Sequence, residues 1–545
     1  MPQQTKPGLP DSAQLDPAGL ATAEAGPHAP SAPPSRSRRM LGGMVMTYGY
    51  QALLIVFGIW LTPFYLRHIG QHDYGLWLVG TQLLTYLTLT DFGVVALLPL
   101  ETAYATGRAG GAQKTDGLAQ LVGQTTRIVL CQLPIVAILA AGMWWTIPAE
   151  WRGLQGPLAI ILAAFVLGFP LRVLPALLQG LQDLTFANGL QIASWAITTG
   201  STVLMVMQGW NLYALAVGWL LSQFIFVPVC VYRLLTRFPG VLPKRLPPMV
   251  WSATRETLGK GFWVSVSQVA TLLMGNTDLL IIGRILGPAA VVPYSCTGKL
   301  PGVLGNQATI VMHTATPALC ELKTGESRGR VFQALIALNH GLLTFSGLVF
   351  CIVIVMNHWF VNWWVSARQY GGFALTLVVL IAMVIRHWTT VTAYTVFCFG
   401  HQRRISLTNL ADGLVTAGCC AALVLPFGLA GAAAGSALGA CLISLPFNLH
   451  VIARDVEVST RRLIRDMLLS WGWRFALLAA GATWIAREWS PNSFPVAVLA
   501  SAAVAAVYIA VMLPSVLRSP MGAYIRPLWA SFRTRFSTLQ VRLSP

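Results

Sequence analysis

RLLTRFPGVLPKRLPPMVWSATRETLGK, residues 233–260, divides the chain in two. It holds six basic residues (Arg233, Arg237, Lys244, Arg245, Arg255 and Lys260), four prolines and one acid, Glu256. Apolar runs crowd both sides of it. Proline cannot continue a helix, and a basic cluster this dense does not cross a bilayer. The stretch therefore reads as a loop on the cytoplasmic face that joins two membrane-embedded halves.

The halves look alike. Arg67-His-Ile-Gly70, followed by Tyr74, is answered by Arg284-Ile-Leu-Gly287, followed by Tyr294, at an offset of 217. Gly180 and Asn188 are answered by Gly400 and Asn409, at an offset of 220 for the glycines. The run from Gly209 through Trp210 and Asn211 is answered by the run from Pro426 through Phe427 and Gly428. Three matches in order at a nearly constant offset point to an internal repeat. Membrane transporters are often built this way, with the substrate site between the repeats.

A mean hydropathy of +0.64 with only 10% charged residues excludes an ordinary soluble protein. The formal charge of +18 does not indicate nucleic acid, because the basic residues sit in short gaps between apolar runs. The nine cysteines lie within apolar runs and form no CxxC pair, so they read as small core residues rather than disulfides or metal ligands.

A membrane-spanning helix needs ~20 mostly apolar residues. By that measure the chain has fourteen candidate spans, from 40–66 to 494–515. The expected fold is all-α and integral to the membrane, with two six-helix lobes in tandem and two extra C-terminal helices. Residues 1–39 read as a disordered cytoplasmic tail, 40–237 as the first lobe and 238–257 as the inter-lobe loop. Residues 258–453 form the second lobe, 454–515 a cytoplasmic loop with spans 13 and 14, and 516–545 a basic cytoplasmic tail. With both termini inside, 26 of the 36 Lys and Arg residues fall on the cytoplasmic side and five in outer loops. Trp144, Trp151, Trp363 and Trp489 gather near the outer ends, as an interfacial aromatic belt would. Six spans per half give the halves the same orientation, with a pseudo-twofold axis along the membrane normal. The outer loops are short and offer Glu150, Glu488 and little else. A membrane glycosyltransferase or polymerase is therefore disfavoured, and no catalytic or metal-binding residue is expected.

The run from Ile69 through Tyr74, Gly75 and Trp77 continues to Asp91-Phe-Gly93. With Thr277-Asp278 to Gly283-Arg284, Tyr294 to Lys299, and Pro317-Ala-Leu-Cys-Glu321-Leu, it resembles the polysaccharide flippase family. These are the Wzx-like members of the multidrug/oligosaccharidyl-lipid/polysaccharide exporter superfamily. The resemblance covers roughly residues 40–455. It implies movement of undecaprenyl-pyrophosphate-linked sugars from the cytoplasmic to the periplasmic leaflet of a bacterial inner membrane. It also implies alternating access and, in some relatives, coupling to a proton or sodium gradient. Partners would be the lipid-linked oligosaccharide, the bilayer, and a polysaccharide polymerase and glycosyltransferases; no cofactor and no nucleic acid is expected. The family usually has twelve spans, and fourteen is reminiscent of the lipid II flippases.

Charge inside a span is costly and by default faces the bundle interior or water. Arg386, Arg172, Arg127 and Lys299 are the candidates for binding an anionic headgroup, since a guanidinium pairs bidentately with phosphate. Arg386 lies deepest and is the first of these. Arg172 and Arg127 have the alternative of snorkelling to the interface. Asp91 and Asp278 are taken as the two acids well inside the spans and are candidates for ion coupling. For Asp91 the plainer expectation is a helix-packing bond beside Gly93, and for Asp278 an ion pair with Arg284 or Lys299. His387, His340 and His313 read as core histidines. An intramembrane excess of base favours an anionic substrate over the organic cations of a multidrug antiporter. A membrane scaffold without transport activity would not need buried charge.

Overall fold

The computed structural model describes residues 36–108, 116–325 and 328–523. Most of both expected tails, residues 1–35 and 524–545, lies outside them. Every regular element among the described residues is helical. The first half comprises α1 (Arg36–His68), α2 (Gln71–Leu87), α3 (Val94–Arg108), α4 (Asp116–Trp145), α5 (Arg152–Gly168), α6 (Val173–Gly180), α7 (Leu184–Met207) and α8 (Asn211–Arg237). The second comprises α9 (Trp251–Gly275), α10 (Thr277–Ile285), α11 (Pro288–Thr297), α12 (Lys299–Gly325), α13 (Arg328–Trp364), α14 (Phe373–Cys398), α15 (Gln402–Gly439) and α16 (Leu445–Val456). Then follow α17 (Thr460–Glu488) and α18 (Phe494–Arg518). The protein is an all-α integral membrane bundle.

Among the described residues, nine segments are long and apolar enough to cross a membrane, or up to eleven with two bent pairs. The expected fourteen is not reached by this measure, and two features account for the difference. The segment Gln402–Val456 counts once, yet it turns back at Gly428, where φ is 57°. Gly431, Gly435 and Gly439 lie against Leu423, Cys420 and Asp412, so its two arms pack antiparallel. Helices α12 and α17 are long but are not among the nine; α12 carries Asn306 and Gln307, and α17 carries Arg474, within their apolar stretches.

The repeat matches have a backbone basis at two of three positions. Gly70 and Gly287 sit before α2 and α11 with φ 90°, ψ 164° and φ 89°, ψ 159°, a corner only glycine enters readily. Asn211 and Gly428, also paired by the sequence match, have φ 47° and 57°. The third match does not share a conformation: Gly400 has φ 89°, while Gly180 is helical and packs on Thr102. There the left-handed residue of the first half is Gln182.

Two spans are broken. The pair α2–α3 bends by 52° and the pair α9–α10 by 47°. The first break follows Asp91, whose Oδ1 accepts the Gly93 N–H at 3.0 Å. Phe92 and Gly93 are left-handed, which no helix continues through. Gly93 is also where α9 crosses: a Cβ there would lie 2.4 Å from the Gly261 carbonyl. Gly93→Ala is therefore expected to cost about 1–2 kcal/mol in backbone strain alone, with the clash added. Thermal unfolding of the purified variant checks this, and an unchanged midpoint would show that the crossing is loose.

The core is continuous across the appended helices. Trp471, Tyr508 and Met512 of α17 and α18 share a cluster with Phe350, Val353 and Leu380 of α13 and α14. Asn339 Nδ2 of α13 donates to the Met467 carbonyl at 3.0 Å. Helices α17 and α18 are thus docked on α13 rather than loosely attached.

Candidate functional site

A cavity of about 740 Å³ lies between the halves. Gln51, Thr62 and Tyr74 line it from the first half, and Asp278, Tyr294 and Lys299 from the second. The motif residues explain its walls. Gly75 lets α2 run directly against α11, since a Cβ there would fall 2.0 Å from the Pro288 carbonyl. Beside that contact Gln71 Nε2 donates to the Ala289 carbonyl at 2.9 Å, and Gln71 Oε1 accepts from Gln369 at 3.0 Å. At the break of the bent α2–α3 pair, Gly93 meets Gly261, and farther along α3 Lys260 of α9 bridges Glu101 at 3.3 Å and Glu256 at 2.9 Å. The halves therefore touch on both sides of the cavity. Tyr86 and Thr277 share a hydrogen bond across them, as do Trp364 and the Ile59 carbonyl.

Asp278 stands in the first turn of α10, where the helix dipole favours a carboxylate. Its Oδ1 accepts the Leu279 N–H at 2.9 Å and its Oδ2 accepts the Tyr294 hydroxyl at 2.6 Å. Lys299 opens α12 in the same cavity wall, and its Nζ is near Gly58 of α1. Among the described residues Lys299 has no ion-pair or hydrogen-bond partner, and Asp278 has no cation. The expected ion pair between Asp278 and Lys299 or Arg284 is not formed; Arg284 instead faces Glu150 at 3.9 Å.

The three arginines lie elsewhere. Arg386 of α14 meets Asp412 of α15 bidentately, at 2.8 and 2.9 Å. Its Nε donates to Ser436 at 3.0 Å, Nη2 to Thr416 at 2.9 Å and Nη1 to the Met274 sulfur at 3.3 Å. A guanidinium has five N–H donors, and all five are used. Asp412 is 0% exposed and also accepts from Thr416 at 3.0 Å and from Ser444. The pairing and its neighbours engage, within the protein, every donor of the residue expected first to meet the headgroup. The pairing corrects the acid count, because Asp412 lies inside a span and neutralises the deepest arginine. The signal was present in the sequence as Asp412-Gly413 within an apolar run, eight residues past the last basic residue, Arg404.

Arg172 pairs with Asp91 at 3.5 Å, donates to the Thr88 carbonyl at 3.3 Å and lies over Phe165 and Phe169. Asp91 thus both caps the break in its span and holds a cation, in line with the packing reading. Arg127 Nη1 donates to the Pro247 carbonyl at 2.5 Å and pins the segment between α8 and α9 to α4. Of the candidate residues, the structure brings Lys299 and Asp278 together in the central cavity, while Arg386, Arg172 and Arg127 do not line it.

His387 bonds Ser346 at 2.5 Å, and His340 lies 3.1 Å from the Asp466 carbonyl, as core histidines would. The His313 side chain falls outside the described residues. The described residues hold no disulfide; four of the nine cysteines are buried, while Cys131 and Cys441 face outward.

Residues 152–364 match the family model of polysaccharide biosynthesis proteins. An uncharacterized membrane protein of Bacillus subtilis (strain 168), EpsK, is 24% identical over 275 residues, 49% of this chain and 54% of that protein. The chain thus matches about half the length of that relative. Among solved structures, the inward closed conformation of the lipid II flippase MurJ superposes with a TM-score of 0.63 at 10% identity, over 87% of this chain and 99% of that one. The MATE multidrug transporter DinF-BH gives 0.53 at 14% identity, over 79% and 95%. These findings bear out a resemblance to membrane proteins of polysaccharide biosynthesis. The fold is that of membrane flippases and transporters.

Proposed function

We propose that this protein turns undecaprenyl-pyrophosphate-linked oligosaccharide from the cytoplasmic to the periplasmic leaflet of a bacterial inner membrane, for surface polysaccharide synthesis. The observation that carries this reading is the inter-lobe cavity of about 740 Å³ with an unpartnered Lys299 in its wall. An ammonium left without a counter-ion at membrane depth suits a phosphorylated ligand. Polar groups beside it, including Gln51, Asn306 and Gln307, suit sugar hydroxyls. Contacts between the halves on both sides of the cavity suit alternating access. Asp278, hydrogen-bonded but without a cation, is the better placed of the two carboxylates for coupling to a proton or sodium gradient. In this reading both termini face the cytoplasm, and glycosyltransferases supply the substrate that a polymerase consumes.

The lipid II flippase reading shares the pyrophosphate chemistry, and the docked α17 and α18 favour it as a second reading. A deletion strain separates the readings. Lipid-linked oligosaccharide is expected to accumulate on the cytoplasmic leaflet while surface polymer falls and cell-wall synthesis continues. Arrest of cell-wall synthesis would favour lipid II. Normal surface polymer with impaired drug efflux would sink both in favour of a multidrug exporter.

A further inference from the structure

A second cationic pocket lies outside the two repeated halves. It is a cavity of about 580 Å³ where the starts of α13 and α17 meet the end of α18, on the side that the charge distribution assigns to the cytoplasm. Arg465, Arg474 and Arg518 line it, with Asp466, Ser470 and Ser515. Asp466 is engaged by Arg465 at 3.3 Å and by Arg462 at 3.6 Å. Arg474 is held in place: its Nη1 donates to the Ser470 carbonyl at 2.5 Å and to Ser515 at 2.9 Å, and its guanidinium lies 4.6 Å from the Trp473 ring. Neither Arg474 nor Arg518 has an acidic partner among the described residues. Two guanidiniums at one cavity, one of them pre-oriented, lack an anion.

The surface beside the pocket says what carries that anion. Leu469, Trp473, Leu477 and Trp484 of α17 are 62%, 54%, 66% and 68% exposed. They recur at i, i+4, i+8 and i+15, which places them on one face of the helix. This apolar stripe starts at the pocket, where Leu469 and Trp473 belong to its lining, and runs away along the span. A free phosphate needs no such track, whereas acyl chains do. Basic pockets between spans on the cytoplasmic side are recognised sites for anionic headgroups.

We propose that this pocket binds the phosphate of an anionic phospholipid of the adjoining leaflet, with Arg474 and Arg518 on the phosphate and the acyl chains along the α17 stripe. The site is independent of the central cavity and gives α17 and α18 a role of their own.

The test uses the full-length protein in neutral detergent, titrated with phosphatidylglycerol, with bound lipid counted by native mass spectrometry. Phosphatidylcholine is the neutral comparison and inorganic phosphate the competitor. One phosphatidylglycerol is expected to be retained above the others, and Arg474→Gln with Arg518→Gln to weaken it about tenfold or more, each charged hydrogen bond being worth about that factor. Arg518→Gln alone, which removes no hydrogen bond or ion pair among the described residues, is expected to weaken it without lowering the unfolding temperature in neutral detergent. Lys244→Gln with Arg245→Gln in the inter-lobe loop should leave it unchanged. Undiminished retention in the double variant, or an equal loss in the loop control, would overturn the site. Displacement of the lipid by millimolar inorganic phosphate would overturn the assignment to a lipid.

Discussion

Arg386→Ala is expected to deplete the protein from the membrane, not merely to silence it. The substitution leaves Asp412 fully buried without a counter-charge, and it strips acceptors Ser436 and Thr416 of their donor. Removing one partner of a buried ion pair typically costs about 3–5 kcal/mol, a large share of the stability of most folded proteins. Asp412→Asn should cost a similar amount. Arg386→Met combined with Asp412→Leu removes both charges together, and should recover much of the loss, since a buried pair is often replaceable by apolar residues of similar volume. Arg386→Lys keeps the charge but cannot meet both carboxylate oxygens and two hydroxyls at once, so it should fall between. Membrane abundance and unfolding temperature in detergent, measured for all four variants, check these expectations. A stable, abundant Arg386→Ala that has lost transport would show instead that this arginine serves the substrate.

Lys299→Gln is expected to do the opposite: normal abundance with transport lowered about 10- to 100-fold. Its Nζ holds no hydrogen bond or ion pair among the described residues, so none is lost there. What it loses is a charged hydrogen bond to the headgroup, worth about 1.5–3 kcal/mol. Lys299→Arg should retain most of the activity, because the positive charge stays in the cavity. The measurement is recovery of surface polymer in a deletion strain, normalised to membrane abundance. Full activity of Lys299→Gln would remove the residue on which the anionic-substrate reading stands.

The contrast between these two residues bears on how far a sequence can be read. Both stand out as bases within apolar runs, and hydropathy ranks Arg386 above Lys299 because it lies deeper. Depth is a property of one helix. Whether a buried charge is free depends on which way its helix is rotated and what the neighbouring helix presents. Arg386 and Asp412 are 26 residues apart in consecutive spans, and no period or spacing connects them. The same holds for Arg172 and Asp91, which are separated by intervening helices. Lys299 and Asp278 show the converse: 21 residues apart and expected to pair, they share a cavity without meeting.

The sequence alone determined what acts one residue or one helix at a time. Apolar length specified a membrane bundle, because an unsatisfied backbone cannot enter lipid outside a helix. The matched glycines at 70 and 287 marked the same left-handed corner in both halves, because only glycine takes that conformation without strain. Tertiary structure alone decided which charges neutralise each other, where the cavity lies and which cation lines it unpartnered. Those depend on contacts between helices distant in the chain, and the energy of a buried charge is set by the atoms within a few ångströms of it, wherever in the sequence they come from.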